Sequence, residues 1–218
     1  MSPSPALPPP TVFVVDDDPE IRTLLECMLQ RAGYLVEGFV SAQIFLDRAC
    51  FDGVGCIVLD IHMPGMSGLD LQKSLAKAGK HMPIIFITGQ GDVRMSVAAM
   101  KRGAVDFLTK PFKREELLTA VSEALDKHRK WRHDDDDASA ACNRIAALTP
   151  REREVLLRVI AGRLNKQIAG ELGVSEITVK VHRGRVMAKM GVTSVAELVR
   201  LAERGHLGGK TGVEAPKR

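Results

Sequence analysis

Five short runs of apolar and β-branched residues alternate with helical segments over the first 128 residues, and this alternation restricts the fold more than any other feature. The runs occupy residues 11–15, 34–39, 54–59, 83–88 and 104–108, and the helical segments lie near 19–32, 41–50, 67–78, 91–102 and 113–128. Strands that alternate with helices favour a parallel sheet covered on both faces. Because crossovers between parallel strands are right-handed, the pattern predicts a doubly wound α/β domain.

Polar side chains stand at the ends of four of the five predicted strands. They are Asp16, Asp17 and Asp18 for the first strand, Asp60 for the third, Thr88 for the fourth, and Lys110 with Pro111 for the fifth. Ligands of doubly wound sheets bind beyond the carboxyl ends of the strands, so these residues are expected to share one crevice. Taken singly, each has an ordinary explanation, and Asp18 before Pro19 is typical of a helix N-cap. Their joint placement favours a functional site.

The residue types in this group suit phosphoryl transfer. Crowded carboxylates repel one another, and a hard divalent cation such as Mg²⁺ relieves that repulsion. With the cation bound, one carboxylate can attack phosphorus and form an aspartyl phosphate. An amine such as Lys110 and a hydroxyl such as Thr88 are suited to hold the added phosphoryl oxygens. The strand ends therefore predict a phosphorylation site that uses Mg²⁺.

The net charge of +4 conceals an acidic half and a basic half. Residues 1–137 contain 16 Lys and Arg against 20 Asp and Glu, a net charge of −4, whereas residues 138–218 contain 15 against 7, a net charge of +8. The seam at 130–141, KWRHDDDDASAA, passes from basic residues to four aspartates and then to small residues. Such a stretch is typical of a solvated, disordered linker, with cation binding by Asp134 to Asp137 as the alternative. Two domains with different partners are indicated.

The basic half has a purely helical pattern. Thr149 and Glu152 form a capping box at the start of its first helix. A short amphipathic helix, NKQIAGEL, stops at Gly173, and a longer helix, EITVKVHRGRVMAKM, follows the N-cap residue Ser175. Two helices joined around a glycine predict a helix-turn-helix whose second helix reads DNA.

The second of these helices separates an inward and an outward face. Val179, Val186 and Met190 follow the spacing of an inward apolar stripe. The outward positions are Lys180, Val181, Gly184 and Arg185, with His182 and Arg183 at the flanks. A charged helix face is more often plain solvated surface. Here the glycine turn, the preceding helix and the local charge of +8 favour contacts with DNA phosphates and the release of counterions.

Four motifs relate the acidic half to a known family. VVDDD, VLDIHMPGMSG, FITGQGD and DFLTKPF, in this order and spacing, resemble the receiver domain of two-component response regulators over about residues 11–127. The resemblance implies a flavodoxin-like sheet of strand order 2-1-3-4-5. It also implies the site roles: Asp60 as phosphoacceptor, Asp16 and Asp17 as further Mg²⁺ ligands, Thr88 and Phe107 as switch residues, and Lys110, before a cis Pro111, as the phosphate-binding lysine. The one small departure is His62, where this subgroup often carries arginine, and it is expected at the rim of the site.

The basic half has its own resemblance. Residues 142–207 resemble the LuxR-type helix-turn-helix through NKQIA and TVKVHRGRVMAKM, and RVMAKM resembles the FixJ-like branch of the NarL/FixJ family. The resemblance implies base contacts from Lys180, Val181 and Gly184. Some relatives carry lysine where Gly184 stands, so Arg183 or Arg185 is an alternative source of that contact. Lys166, Thr178 and His182 are implied to contact the DNA backbone, and a final helix near 193–204 is implied to serve dimerisation.

Together these features predict an α/β receiver domain followed by an all-α helix-turn-helix domain. The expected boundaries are a disordered lead-in at 1–10, the receiver at 11–127, a linker at 128–141, the DNA-binding domain at 142–207 and a disordered tail at 208–218. The resemblance implies a phosphorylation-controlled transcription regulator in which a sensor histidine kinase phosphorylates Asp60 and thereby frees or dimerises the output domain. Its implied partners are double-stranded promoter DNA, a second copy paired through the surface near residues 91–108, and RNA polymerase as a further candidate.

Two alternatives remain open at the level of sequence. Phosphatases with an aspartyl-phosphate intermediate typically need a second acid two residues beyond the nucleophile, and His62 occupies that position. A DNA-binding module whose receiver needs no phosphate conflicts with the complete set of acids, hydroxyl and lysine. No enzymatic turnover is expected beyond phosphorylation and dephosphorylation of Asp60. The sequence lacks an apolar run of about 18 residues and a signal-peptide pattern, which predicts a cytoplasmic protein that does not enter membranes.

Overall fold

The computed structural model describes residues 9–48, 51–89, 97, 99–205 and 207, which fall into two compact units, Met1–Arg132 and His133–Arg218. The strands are β1 (Thr11–Val15), β2 (Leu35–Phe39), β3 (Gly55–Asp60), β4 (Ile84–Thr88) and β5 (Asp106–Thr109). The helices are α1 (Pro19–Arg31), α2 (Ala42–Asp47), α3 (Gly68–Lys77), α4 (Arg114–Ala146), α5 (Pro150–Ile160), α6 (Asn165–Leu172), α7 (Glu176–Met190) and α8 (Val195–Arg204).

Several sequence predictions lie wholly or partly outside the described residues. The lead-in is described only at residues 9 and 10, and the tail at 208–218 is not described. Of the helix predicted at 91–102, residues 97 and 99–101 are described and are helical.

The five strands form one parallel sheet in the order β2-β1-β3-β4-β5, as predicted. Alternate residues of the buried strands face opposite layers, because side chains in a strand point to the two faces in turn. Val12 and Val14 of β1 belong to the core packed against α1 and α4, whereas Phe13 and Val15 belong to the core packed against α2 and α3. This confirms the doubly wound receiver fold.

The residues predicted as a disordered linker, 128–141, are helical and lie inside α4. The prediction of disorder is wrong, because it relied on the aspartate run and not on the sequence around it, which favours a helix. The sequence has no glycine or proline from residue 112 to residue 149, so nothing in it breaks a helix. Asp137 also accepts a hydrogen bond from Arg204 (2.8 Å) and lies 3.7 Å from His133, one helical turn earlier.

The second compact unit is built from the C-terminal part of α4 and from α5 to α8. Its core contains the predicted inward stripe, Val179, Val186 and Met190, all buried. Arg144 of α4 donates a hydrogen bond to the Met190 carbonyl oxygen (2.9 Å), and Ile145 joins the core. The unit begins at His133, so it also includes residues 133–141, which the sequence had assigned to the linker.

The predicted capping box of α5 is present and carries an ion pair. Thr149 Oγ1 accepts from the Glu152 N–H, and the Glu152 carboxylate accepts from the Thr149 N–H (2.8 Å) and from Lys189 Nζ (2.6 Å). The lysine and the Thr149 N–H hold the pKa of the buried Glu152 at about 2, below its usual 4.5. The carboxylate thus ties the start of α5 to the end of α7.

We expect acid to weaken the second unit through Glu152. A carboxyl whose pKa is lower in the folded chain stabilises the fold above its unfolded pKa of 4.5, and this stabilisation is lost as the pH falls towards 2. Glu152→Gln should flatten this dependence of the free energy of unfolding between those pH values, while the exposed Glu203→Gln leaves it unchanged. Unfolding followed by circular dichroism across this pH range is the measurement, and an equally steep curve for Glu152→Gln would contradict the assignment.

Candidate functional site

Strand register brings the predicted site residues to one edge of the sheet. Val15 pairs with Leu59, so Asp16 and Asp60, which follow them, lie side by side. On the next strand pair, Thr88 pairs with Thr109, and the Lys110 N–H donates to the Thr88 carbonyl oxygen (2.7 Å). The peptide bond between Lys110 and Pro111 is cis, as the resemblance implies.

Three carboxylates at this edge are close enough to share one metal ion. Asp16, Asp17 and Asp60 each offer an oxygen atom, and these atoms lie within 4.8 Å of one another. Asp16 and Asp60 are buried, whereas Asp17 is exposed and leaves a path for solvent. Within the described ranges, no other set of three acidic, histidine or cysteine side chains comes this close, Asp134–Asp137 included. Few carboxylates with room for water are the ligand set that Mg²⁺ prefers, so the residues fit this ion.

Lys110 neutralises part of the acidic cluster. Its Nζ donates a hydrogen bond to Asp16 Oδ2 (2.9 Å) and lies 3.8 Å from Asp60 Oδ1. The other Asp16 oxygen, Oδ1, accepts from the Asp18 N–H (2.9 Å), while Asp18 itself caps α1, as predicted. A single ammonium group thus contacts both buried carboxylates.

Burial raises the pKa of the Asp60 carboxyl above its usual range. Lys110 and the N–H groups of Ile61 and His62 act in the opposite direction, and the neighbouring Asp16 adds to the rise. A partly desolvated carboxylate is a stronger nucleophile than a fully hydrated one, provided that nearby positive charge keeps it ionised. Lys110 supplies that charge at this edge of the sheet.

A contact that was not predicted from the sequence joins His62, the residue that departs from the receiver pattern, to the Thr88 hydroxyl. His62 Nδ1 lies 3.3 Å from Thr88 Oγ1 across the mouth of an open crevice of about 470 Å³. Thr88 is fully buried and His62 is exposed, so the imidazole covers the hydroxyl from the solvent side. The crevice is lined by Asp17, Asp18, Asp60, His62, Gly89 and Lys110. The position of His62, two residues after Asp60, was the only signal for this role.

The predicted switch aromatic lies on the neighbouring strand. Phe107 pairs with Phe86 of β4 and packs, half-buried, against the core on the α2 and α3 side of the sheet. It is two strand positions before Thr109, the partner of Thr88. A change at the Thr88 hydroxyl and a change in Phe107 packing would therefore act on the same pair of strands.

The second unit contains the predicted helix-turn-helix. α6 ends at Leu172, and its C-cap residue Gly173 has a φ of +64°, the left-handed conformation that favours glycine. α7 starts after the Ser175 N-cap. Residues four apart on a helix share one row of its surface. Lys180 and Gly184 form one such row of α7, and Val181 and Arg185 form the adjacent row on the same face. All four are exposed, as is Lys166 of α6.

Three of the predicted DNA contacts are less accessible than the sequence suggested. Thr178, His182 and Arg183 are each half-buried. The Arg183 guanidinium donates to Asn165 Oδ1 (2.9 Å), and the Thr178 hydroxyl lies 2.9 Å from Ser175 Oγ at the N-cap. Arg183 and Arg185 were the alternative sources of the base contact that some relatives make with a lysine at position 184. Of these two, Arg185 is the exposed one.

An exposed apolar residue on the same helix was missed. Ile177 of α7 is 75% exposed, and it precedes Val181, 48% exposed, by four residues. The two form an apolar strip beside Lys180 on the outer face of α7. Apolar side chains on a reading helix contact thymine methyl groups in known complexes, so Ile177 extends the candidate interface.

We expect Gly184→Ala to stabilise the second unit. A Cβ at Gly184 would meet no atom within 4 Å, and the residue is inside a helix, where glycine costs about 0.5–1 kcal/mol relative to alanine. Gly173→Ala is the matched control, since it also meets no atom within 4 Å but has a positive φ, and it should destabilise by about 1–2 kcal/mol. Thermal unfolding of the two variants gives the comparison, and shifts of the same sign would show that packing, not φ, decides.

Comparison with known proteins relates both units to one family. Residues 12–122 match the response regulator receiver domain, and residues 146–202 match bacterial regulatory proteins of the luxR family. Nodulation protein W of Bradyrhizobium diazoefficiens is 47% identical over 192 residues, 88% of this chain and 85% of that protein. Transcriptional regulatory protein FixJ of Azorhizobium caulinodans is 45% identical over 191 residues, 88% of this chain and 90% of that protein.

A solved structure agrees with both matches. That of response regulator StyR has a TM-score of 0.79 and 46% sequence identity, and the match covers 90% of this chain and 99% of that one. The chain is a two-component response regulator of the NarL/FixJ family. As a response regulator with a LuxR-type output domain it is a DNA-binding transcription regulator, and receiver domains of this kind take their signal from a histidine kinase. Within the described part of the chain, no helix combines the length and the apolar content needed to cross a bilayer.

Proposed function

We propose that Asp60 is the residue of this response regulator that accepts the phosphoryl group, with Mg²⁺ held by Asp16, Asp17 and Asp60. The observation that carries the proposal is the meeting of three carboxylates and the Lys110 ammonium at one edge of the sheet, with oxygens within 4.8 Å and Nζ contacts of 2.9 and 3.8 Å. An ordinary helix cap or surface ion pair needs one carboxylate, not three. The bound ion would offset the negative charge of the carboxylates and of the incoming phosphoryl oxygens.

The proposed step is an in-line displacement at phosphorus. An Asp60 oxygen attacks the phosphoryl group on the kinase histidine, the new O–P bond forms, and the P–N bond to the imidazole breaks. The imidazole leaves as the neutral ring after it takes up a proton, and the product is an acyl phosphate on Asp60. Hydrolysis of that acyl phosphate returns Asp60 and inorganic phosphate, so the chemistry of this chain is confined to its own phosphorylation and dephosphorylation.

Lys110 and Thr88 are proposed to hold the added phosphoryl oxygens. The Lys110 ammonium group, which contacts Asp16 and Asp60, would exchange part of this contact for a phosphoryl oxygen. Thr88 Oγ1, now beside His62 Nδ1, would donate to another, and Phe107 on β5 would repack in response. The added charge of about −1.5 to −2 drives this rearrangement.

The output is proposed to be paired binding of promoter DNA. Lys180, Val181 and Gly184, with Arg185, would face the base edges, while Lys166, Thr178, His182 and Arg183 would position the helix on the backbone. One small module contacts too little DNA for tight specific binding, and two modules on one operator gain affinity through effective concentration. The proposed pairing surface lies near residues 91–108, of which the structure describes 97 and 99–108. Such a regulator acts in the cytoplasm, and RNA polymerase is its proposed downstream partner.

Phosphate labelling combined with light scattering tests the proposal. Incubation of the full chain with acetyl phosphate and Mg²⁺ should give acid-labile incorporation of one phosphate and convert a monomer to a dimer. Pairing favoured by about 2–3 kcal/mol changes occupancy of paired sites about 30- to 150-fold. Incorporation that is stable to acid would contradict the acyl phosphate, and full incorporation without a divalent ion would contradict the role of Mg²⁺. A phosphorylated chain that stays monomeric yet gains this affinity would contradict the pairing.

A further inference from the structure

A second depression in the first compact unit lies away from the phosphorylation site. It has a volume of about 270 Å³ and opens beside Ile84, at the amino end of β4, whereas Thr88 marks the carboxyl end of that strand. Four residues of rise separate these two positions by about 13 Å. The depression lies between α3, the segment before β4, the segment before β5 and the part of α4 that reaches Trp131.

The rim of this depression is basic. Lys80, His81, Arg102 and Lys127 line it, and none of the described residues that line it is acidic. Among the described residues, neither Lys80 nor Arg102 has a carboxylate within 4.0 Å. Asp70 of α3 is close enough for Arg102 to help lower its pKa, but it forms no ion pair with Arg102 within 4.0 Å. Cations around a concave surface attract an anion, and a guanidinium without a close ion-pair partner is suited to bind a carboxylate through two hydrogen bonds.

The remaining surface of the depression is apolar and aromatic. Leu75 and Ile84 are buried beneath it, and Trp131 stands at its edge with Lys127 Nζ 5.2 Å from the centre of the indole ring. Aromatic and aliphatic surface combined with a few convergent polar groups is typical of sites for small molecules. A volume of about 270 Å³ is near the lower end of such sites and suits a ligand of one or two rings.

The wall between α3 and the segment before β5 is fixed by a buried amide. Gln72 Nε2 donates to the carbonyl oxygens of Ala99 (3.3 Å) and Arg102 (3.4 Å), which holds the backbone of Arg102 against α3. Gln72 is 5% exposed, and its Oε1 accepts no hydrogen bond from the described residues. Gln72 thus fixes this wall through two main-chain carbonyl groups.

We propose that this depression is a binding site for a small aromatic carboxylate. Arg102 and Lys80 would bind the carboxylate, and Trp131 with the apolar floor would contact the ring. A ligand there would touch α3, the segment before β5 and α4 at once, so it would stabilise the first unit independently of the phosphorylation site.

Tryptophan fluorescence of the full chain tests the proposal directly, because Trp131 is the only tryptophan of the sequence. Benzoate should change the emission saturably, with a dissociation constant on the order of 1 mM. Benzamide, which is similar in shape but uncharged, should not. Calorimetric titration provides a second readout that does not depend on the optical signal.

Two matched variants assign the signal to the basic rim. Arg102→Gln should weaken benzoate binding about tenfold or more, while Lys101→Gln, which removes a cation just outside the depression, should leave it unchanged. Lys80→Gln serves as a second rim variant if Arg102→Gln does not fold. Equal responses to benzoate and benzamide, or equal binding by the Arg102 and Lys101 variants, would overturn the proposal. An emission change that depends on protein concentration without benzoate would overturn it as well, because a second copy would then occupy the depression.

Discussion

Asp60→Asn is expected to abolish phosphorylation of the full chain by acetyl phosphate. The amide oxygen is a far weaker nucleophile than a carboxylate, and the substitution also removes one of the three carboxylates available to Mg²⁺. The asparagine side chain has nearly the shape of the aspartate and can still face Lys110, whose Nζ lies 3.8 Å from Asp60 Oδ1. We therefore expect a folded chain whose acid-labile incorporation falls to background.

Two further variants separate the roles within the site. Asp17→Asn leaves the proposed nucleophile in place and removes an exposed metal ligand, so it should raise the Mg²⁺ concentration needed for half-maximal incorporation. Asp47→Asn, an exposed aspartate on α2 outside the cluster, should behave as the unaltered chain. Full labelling of Asp60→Asn would transfer the nucleophile to Asp16 or Asp17 and refute the assignment.

The meeting of the site residues at one edge of the sheet was predictable from the sequence, because it depends on backbone geometry. In a parallel sheet, the residue that follows each strand emerges at the same edge, so Asp16 and Asp60 meet once Val15 pairs with Leu59. The same rule brings Lys110 to Thr88, since Thr109 pairs with that residue. The types of residue at the strand ends then decide the chemistry, and both kinds of information are present in the sequence.

Side-chain contacts between distant positions were not predictable in the same way. The hydrogen bond from the Gly55 N–H to His128 Nδ1 (2.9 Å) joins the start of β3 to α4, and burial lowers the pKa of that histidine. Periodicity shows which face of a helix is inward, but it does not show which atom the residue meets. The contact of Arg183 with Asn165 has the same origin, and it removes one arginine from the outward face of α7.

The helix α4 shows how composition can mislead. Four consecutive aspartates indicate a solvated segment, and residues 134–136 are indeed exposed. Exposure does not exclude a helix, because a helix can be polar on all sides where partners at its ends stabilise it. Asp137 with Arg204, and Arg144 with the Met190 carbonyl oxygen, supply such partners inside the second unit. The absence of glycine and proline was the stronger signal.

The second large effect is expected at the outward face of α7. Lys180→Ala in the full chain should weaken binding to a duplex selected from a random library by about 5- to 150-fold, which corresponds to the 1–3 kcal/mol typical of a side chain that reads a base. Lys180 is exposed and shares its row with Gly184, where no side chain competes for the same base pair. Selection from a random library supplies the operator, and gel shifts at several salt concentrations measure affinity.

Salt dependence and a scrambled duplex then separate base reading from backbone contact. If Lys180 reads a base, the Lys180→Ala variant should lose affinity for the selected duplex and keep most of its affinity for the scrambled one. Removal of a side chain that contacts phosphate, as proposed for Lys166, should weaken binding to both duplexes. It should also reduce the slope of log affinity against log salt by about 0.9. Arg153→Gln on α5 is the control for loss of one exposed cation in the same unit. If Lys180→Ala weakens both duplexes equally, Lys180 positions the helix, and readout at this face has to come from Val181 and Arg185.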